Sequence, residues 1–188
     1  TLEAGERVIL TGPSGAGKSS ILGLILGFWA PETGRVLVGD VDLALLSRNA
    51  LRRKIGYLSQ RTQLLSGTVR ANLLLANPSA SEEQIWAALR AAEIDTVVKS
   101  LPEGLETWIG EAGILLSGGQ ARRLAIAQLI LRQADIWLLD EPTEGLDFDT
   151  ARAVLSKLGQ LAGTRSVVLI THQNELIEAF GPARTLKL

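Results

Sequence analysis

The chain has 188 residues, a net charge of −1 and 46% hydrophobic residues, which suits one domain with a sizeable core and room for two subdomains. That charge balance excludes the basic, clustered footprint of a nucleic-acid-binding module, so no nucleic-acid partner is expected. With no cysteine and a single histidine, disulfide frameworks, thiolate metal sites and multi-histidine metal sites are excluded too. The longest apolar stretch, Ile21 to Ala30, is too short to span a bilayer and is closed by Pro31. No signal peptide is visible at the start.

Leu2 to Arg7 read as a turn feeding an apolar strand, Val8-Ile9-Leu10. The chain meets its first motif so early that a preceding strand is expected to be missing. Gly12-Pro13-Ser14-Gly15-Ala16-Gly17-Lys18-Ser19-Ser20 follows and opens onto Ile21 to Leu26. Strand, glycine-rich turn and helix at this spacing form a P-loop. Its glycines let successive N–H groups curl toward phosphate oxygens, and the helix start adds the positive end of its dipole. Lys18 supplies a full charge for the β- and γ-phosphates, and the Ser19 hydroxyl is a hard ligand for Mg²⁺. The helix from Lys18 is apolar nearly all round, which predicts burial at the centre of the fold. A turn at Pro31-Glu32-Thr33-Gly34, a strand over Arg35 to Gly39 and a tight turn at Gly39-Asp40 come next. Leu43 to Arg53 reads as a short mixed segment, and Ile55 to Ser59 as a strand ending at Gln60.

From Arg61 to about Leu116 strand signals fade. A helix is expected over Ala71 to Leu75. Ser81, with Gln84 three residues on, completes a capping box for a long helix that runs until Pro102-Glu103-Gly104. This stretch, 61–116, reads as a helical subdomain inserted into an α/β core formed by 1–60 and 117–188. The core resumes with a helix over about Gly118 to Arg132 and the apolar run Ile136 to Leu139. A helix over about Thr150 to Leu161 and the β-branched run Val167 to Ile170 complete it. Alternating strands and helices predict a parallel α/β sheet, with chemistry beyond the carboxyl ends of its strands. Four strand ends carry the P-loop, Gln60, Asp140-Glu141 and Thr171-His172.

The acidic pair follows a strand apolar on both faces, and Pro142 halts it. This fits Asp140 organising Mg²⁺ and Glu141 handling an attacking water. A plain polar strand-to-loop junction is the alternative for the pair taken alone. Ser117-Gly118-Gly119-Gln120 satisfies a capping box, but that reading leaves two glycines unexplained at about 1 kcal/mol each inside a helix. Bare N–H groups beside Ser117 and Gly119 make a second phosphate site. A head-to-tail dimer closes the two sites simply, this segment facing the other subunit's γ-phosphate. His172 beyond Thr171 lies at the edge that carries Glu141, where it can reach the γ-phosphate and steady Glu141. Asp147 is either a helix N-cap or a link between the two sites.

Together these residues resemble the ATP-binding domain of ABC transporters. The P-loop, Gln60, Leu116-Ser117-Gly118-Gly119-Gln120, Ile136 to Glu141, Gly145-Leu146-Asp147 and His172 match in order and approximate spacing over essentially the whole chain. The Leu-Ser-Gly-Gly-Gln signature separates the chain from kinases and small GTPases. The resemblance implies a P-loop NTPase core with a parallel sheet, an antiparallel β part and an inserted helical subdomain. It also implies Mg-ATP as ligand, a sandwich dimer and coupling to a transmembrane domain of the same or another chain. Gln60 would join the metal and sense that transmembrane part, and the domain would lie at the cytoplasmic face of a bacterial inner membrane.

Leu65 to Leu73 and Gly110-Glu111-Ala112-Gly113 look like exporter-type domains. Among these the chain most resembles the CydC/CydD family of heterodimeric cysteine and glutathione exporters linked to cytochrome bd assembly: Arg122 to Ala127 and Leu138 to Asp147 look like the CydC partner and carry the lean to it, whereas Gly12 to Ser20, Leu24 to Phe28 and Thr171-His172-Gln173 look more like CydD. Glu144 stands where many relatives have Ser, Gln128-Leu129 replaces a common Arg-Ala, and the family's adenine-stacking aromatic and C-terminal tail have no counterpart. An excised or truncated domain is therefore expected. A non-transport ABC ATPase, or the nucleotide-holding half of an asymmetric dimer, is the alternative function.

Overall fold

The computed structural model describes residues 1–110 and 115–188. Of the exporter-like Gly110 to Gly113 stretch, Glu111, Ala112 and Gly113 lie outside the described residues. Five strands form one parallel sheet in the order β4-β5-β6-β1-β7. They are β1 (Arg7–Thr11), β4 (Ile55–Leu58), β5 (Ile136–Asp140), β6 (Ser166–Ile170) and β7 (Arg184–Lys187). A separate antiparallel pair joins β2 (Leu37–Val38) to β3 (Val41–Asp42).

Strand periodicity sends alternate side chains to the two faces. Ile9, Leu58, Trp137, Leu139, Val167 and Leu169 enter the larger core, beneath α3 (Val69–Leu74), α4 (Glu82–Ala91), α6 (Gly118–Leu131) and α7 (Phe148–Ala162). Val8, Leu10, Ile55, Leu138, Val168 and Ile170 face the opposite side. There they meet Leu22 of α1 (Lys18–Ile25) and Leu51 of α2 (Arg48–Lys54). Both faces are thus covered, as a parallel sheet requires. The α/β architecture with a parallel core and an antiparallel part is the expected one.

Three details differ from expectation. First, α1 is not central: only Leu22 and Gly23 are buried in it. It rests on the sheet along one side, and the Trp29 ring lies on Gly23, where a Cβ would come within 2.3 Å of the ring. The strand expected over Arg35 to Gly39 shortens to the two residues of β2. The third difference is the long helix expected from Ser81, which is two helices. Ser81 and Gln84 do form the capping box. However, α4 ends where Glu93 takes a left-handed φ of 56° and Ile94 N–H donates to Leu89 O at 3.0 Å, before α5 (Asp95–Ser100) begins. The Glu93 carbonyl accepts from Arg123 Nη1 of α6. A contact from a distant helix thus sets a stop that no glycine announces.

Beyond Ile170, α8 (Ile177–Phe180) packs under α7, and β7 then adds the fifth strand beside β1, an element the sequence patterns did not suggest. The α7–α8 crossing depends on Gly159, where a Cβ would lie 2.0 Å from the Phe180 carbonyl oxygen. Gly159→Ala is therefore expected to destabilise the chain by about 2–3 kcal/mol, the upper range for overpacking. Urea unfolding of the two proteins measures it, and an unchanged midpoint would show that α8 shifts freely.

Candidate functional site

Because every neighbour in the main sheet is parallel, the carboxyl ends of β1, β4, β5 and β6 share one edge. At the end of β1 the Gly12 to Ser20 loop turns back on itself, with Ala16 N–H donating to Pro13 O at 3.2 Å. Gly15 and Gly17 hold φ of 81° and 94°, a region open to glycine at no steric cost. Gly12 answers a different need, since a Cβ there would lie 2.9 Å from the Leu188 carbonyl oxygen. Gly17 caps α1 without a side-chain acceptor, so the first-turn N–H groups keep their capacity for an anion. Lys18 Nζ bridges the loop's own carbonyls, Gly12 O at 2.8 Å and Pro13 O at 2.9 Å, and so stands over the loop.

Ser19 Oγ donates to Asp140 Oδ2 at 3.2 Å, which joins the end of β1 to the end of β5. Burial pushes the Asp140 carboxyl above its ordinary pKa, and the hydrogen bond from Ser19 only opposes this. Two hard oxygens meeting where burial disfavours the carboxylate charge, which the nearby Arg122 guanidinium only partly offsets, suit a divalent cation such as Mg²⁺. Among the described residues no group of three His, Cys, Asp or Glu side chains could hold a metal by itself. A cation here would draw its remaining ligands from elsewhere, as Mg²⁺ on a phosphate does.

Glu141 extends the end of β5 toward β6. Its N–H donates to Ile170 O at 2.9 Å. Its side chain is 11% exposed, and both carboxylate oxygens are engaged by one residue: His172 Nδ1 lies 3.0 Å from Oε1, and His172 N–H donates to Oε2 at 3.3 Å. The His172 side chain is 67% exposed, so the pair has one member in the protein and one facing outward. Glu141 also holds a left-handed φ of 50°, which costs a non-glycine residue about 1–2 kcal/mol. Such strain persists only where neighbours over-determine it.

Arg122, which the sequence marks only as part of the CydC-like Arg122 to Ala127 stretch, supplies much of that constraint. It is 2% exposed, in the first turns of α6. Its Nε donates to Pro142 O at 3.0 Å, and its Nη2 to Asp140 O at 2.7 Å and Glu141 O at 2.6 Å. Its Nη1 donates to Ser59 O and, at 3.2 Å, to Gln60 O. Burial pulls the guanidinium pKa down, and Glu144, Asp140 and Glu141 pull it back up. A signal was present in the sequence: Arg122 is in the same helical row as Ile126 and Leu129, both buried. Thr143 and Gln173 form a second unforeseen tie, Thr143 Oγ1 donating to Gln173 Oε1 at 2.6 Å.

Ser117 forms the full capping box with Gln120, and its Oγ accepts from Gln120 N–H at 3.3 Å. The two glycines after it differ. Around Gly118 a Cβ would meet nothing within 4 Å, whereas at Gly119 it would lie 3.1 Å from Gly145 O and 3.2 Å from Leu146. Close packing thus accounts for Gly119, and open approach for Gly118. Ser117, Gly118, Gly119, Gln60, Glu144 and Asp147 line a cleft of about 550 Å³ that includes no P-loop residue. The P-loop and the start of α6 therefore lie on separate surfaces of the chain. Gln60 joins this second cleft and no hydrogen bond brings its side chain to Ser19 or Asp140 among the described residues. Asp147 caps α7, its Oδ1 accepting from Thr150 N–H at 3.0 Å, which settles its local role. Gln128 Nε2 donates to Asn72 O at 2.8 Å and so ties α6 to α3. Asn72, buried, accepts from Leu65 N–H and donates to Leu65 O and Thr68 O, fastening the exporter-like Leu65 to Leu73 stretch.

Comparison with known proteins agrees with this arrangement. The ABC transporter family model matches residues 1–144. The chain is 41% identical over 172 residues, 92% of its length, to the glutathione/L-cysteine transport system ATP-binding/permease protein CydC of Escherichia coli strain K12, of which it covers 30%. It is equally 41% identical over 177 residues, 94% of its length, to the ATP-dependent lipid A-core flippase of Chromobacterium violaceum, again covering 30%. Among solved structures, a bacterial Atm1-family ABC exporter with ATP bound matches all of the chain at 35% identity and a TM-score of 0.92, with 32% of that protein covered. The chain thus spans about a third of the length of these relatives, and no helix among its described residues is long and apolar enough to cross a membrane. With a phosphate loop, an acidic strand end and a signature helix in one α/β core, the chain belongs to the ABC transporter family, as an ATPase domain of the exporter type.

Proposed function

We propose that this chain binds Mg-ATP, closes head to tail with a second ATP-binding domain, and hydrolyses the nucleotide to drive export through a transmembrane domain. One observation carries the reading. Lys18, Ser19, Asp140 and the Glu141–His172 pair stand at strand ends along one sheet edge, while the Ser117 helix start opens into a different cleft. One half of a site faces each way, so a second subunit completes both.

In this reading Gly12, Pro13, Ser14, Gly15, Ala16, Gly17, Lys18, Ser19 and Ser20 hold the phosphates, with Lys18 exchanging the loop carbonyls for β- and γ-oxygens. Ser19, Asp140 and Gln60 would hold Mg²⁺, which when bound neutralises charge on the transferred phosphoryl group. Glu141 accepts the proton of the attacking water. His172 keeps Nδ1 on Glu141 and turns Nε2 to the γ-phosphate, aligning base and water together. Ser117 and Gly119 belong to the site on the partner's nucleotide. The intact Glu141–His172 pair favours a hydrolysing domain over a merely nucleotide-holding one.

Residues 1–60 and 117–188 would move as the α/β core and 61–116 as a helical subdomain. A groove of about 560 Å³ where the end of β4 meets α3 and α6 would receive the transmembrane part at the cytoplasmic face of a bacterial inner membrane. Within exporters we favour a heterodimeric cysteine or glutathione exporter of the CydC type. The similarity to CydC supports it, and the equal similarity to a lipid flippase makes the substrate the point to test.

Three measurements test the proposal. Glu141→Gln removes the base but keeps its shape, so kcat should fall by about 100-fold or more while Mg-ATP binding is kept. Turnover near the parent rate would overturn the assignment. Lys18→Ala removes charged hydrogen bonds worth about 1.5–3 kcal/mol, so ATP affinity should weaken by about 10- to 100-fold in direct titration. In the native transporter containing this domain, glutathione or cysteine should raise ATP turnover at least twofold; stimulation by lipid A alone would exclude the thiol reading.

A further inference from the structure

We propose that Arg122 is a positioning residue for hydrolysis, holding the backbone at Asp140, Glu141 and Pro142 and the backbone at Ser59 and Gln60 as one unit. The inference rests on the reading of Glu141 as the base. It extends that reading to a residue that lines the second cleft and holds the site residues by their backbone carbonyls.

The donor count is complete. A guanidinium has five N–H groups, one on Nε and two on each Nη. Arg122 directs Nε to Pro142 O, Nη2 to Asp140 O and Glu141 O, and Nη1 to Ser59 O and Gln60 O. Five donors meet five backbone carbonyls. No carboxylate oxygen competes for them, although Glu144, Asp140 and Glu141 are near enough to favour the charge. A planar fork of this kind has no substitute: lysine offers three donors from a single point.

The acceptors explain what the fork is for. Glu141 carries the left-handed φ of 50°, and its carbonyl is held by Arg122 at 2.6 Å and by Glu144 N–H at 3.1 Å. With the Arg122 bond gone, the residue can relax toward an ordinary conformation, and its carboxylate leaves His172. The same fork grips the Gln60 backbone, so the ends of β4 and β5 are set to one helix. A residue that only filled space in the core would have needed no charge at all.

Arg122→Lys tests this. The expected result is a fall in kcat of at least tenfold with ATP Kd within threefold of the parent protein. His172 is the only histidine, so its imidazole NMR resonances report the Glu141 contact without interference. They should move in R122K. A kcat within twofold together with unmoved histidine resonances overturns the inference, and so does a parallel loss of binding and turnover with the resonances unmoved. If the parent protein itself fails to bind or hydrolyse ATP, the functional reading fails, and the histidine resonances still decide the Arg122–Glu141 link. Should R122K not fold, arginine-labelled parent and E141Q proteins are compared. Slowly exchanging guanidinium protons that shift between them support the clamp, and fast exchange or identical shifts refute it.

Discussion

Both faces of the central sheet are covered, and this constraint governs where chemistry can occur. Ile9, Leu138, Leu139, Val167 and Leu169 are essentially inaccessible, so no polar group can be placed along the strands without losing water on either side. Functional side chains are displaced to the ends. The parallel register then brings those ends to a single edge, although the residues they carry come from positions 12 to 172. Ser19 reaching Asp140 across the sheet is the first product of that alignment.

The edge is also where the backbone departs from ordinary geometry. Glu141 leaves β5 in a left-handed turn that a glycine would tolerate more easily. Its conformation is held from three directions: Ile170 O from the next strand, Arg122 from α6 and His172 from the end of β6. Two of these partners come from β6 and its end and one from α6, so the turn survives only if strand and helix are both in place. This is the usual economy of a functional site, in which local strain is offset by tertiary contacts.

The cleft at the start of α6 is built by other means. The start of α6 meets the Gly145 loop so closely that Gly119 has room for no side chain, while Gly118 is left open beside the Ser117 cap. In the proposed site the helix dipole and bare N–H groups here would supply the attraction that Lys18 would supply at the P-loop. Arg122 sits between the surfaces, in the helix of one and on the backbone of the other. The same helix that opens the Ser117 cleft thus also fastens the ends of β4 and β5.

Much of this could be read before any coordinates. The P-loop spacing, the apolar strands ending in Gln60, Asp140-Glu141 and Thr171-His172, and the capping boxes at Ser81 and Ser117 are local patterns, determined by residues close together in the chain. They sufficed for the α/β class and for the candidate residues. Other features were not local. The break at Glu93 depends on Arg123 thirty residues later. The fifth strand forms because β1 offers its edge to a stretch with no buried face of its own. In α1 only Leu22 and Gly23 are buried, although its sequence is apolar nearly all round. Arg122 shows the division most clearly. Its charge in a buried helical row was visible in the sequence, but the five carbonyls that satisfy it come from the ends of two strands, about sixty and twenty residues away. Sequence by itself determined the α/β class and which residues are candidates to bind phosphate and carry protons. Only the tertiary structure decided how they are held, because a buried guanidinium and a strained carboxylate are stable only once distant carbonyls have been brought around them.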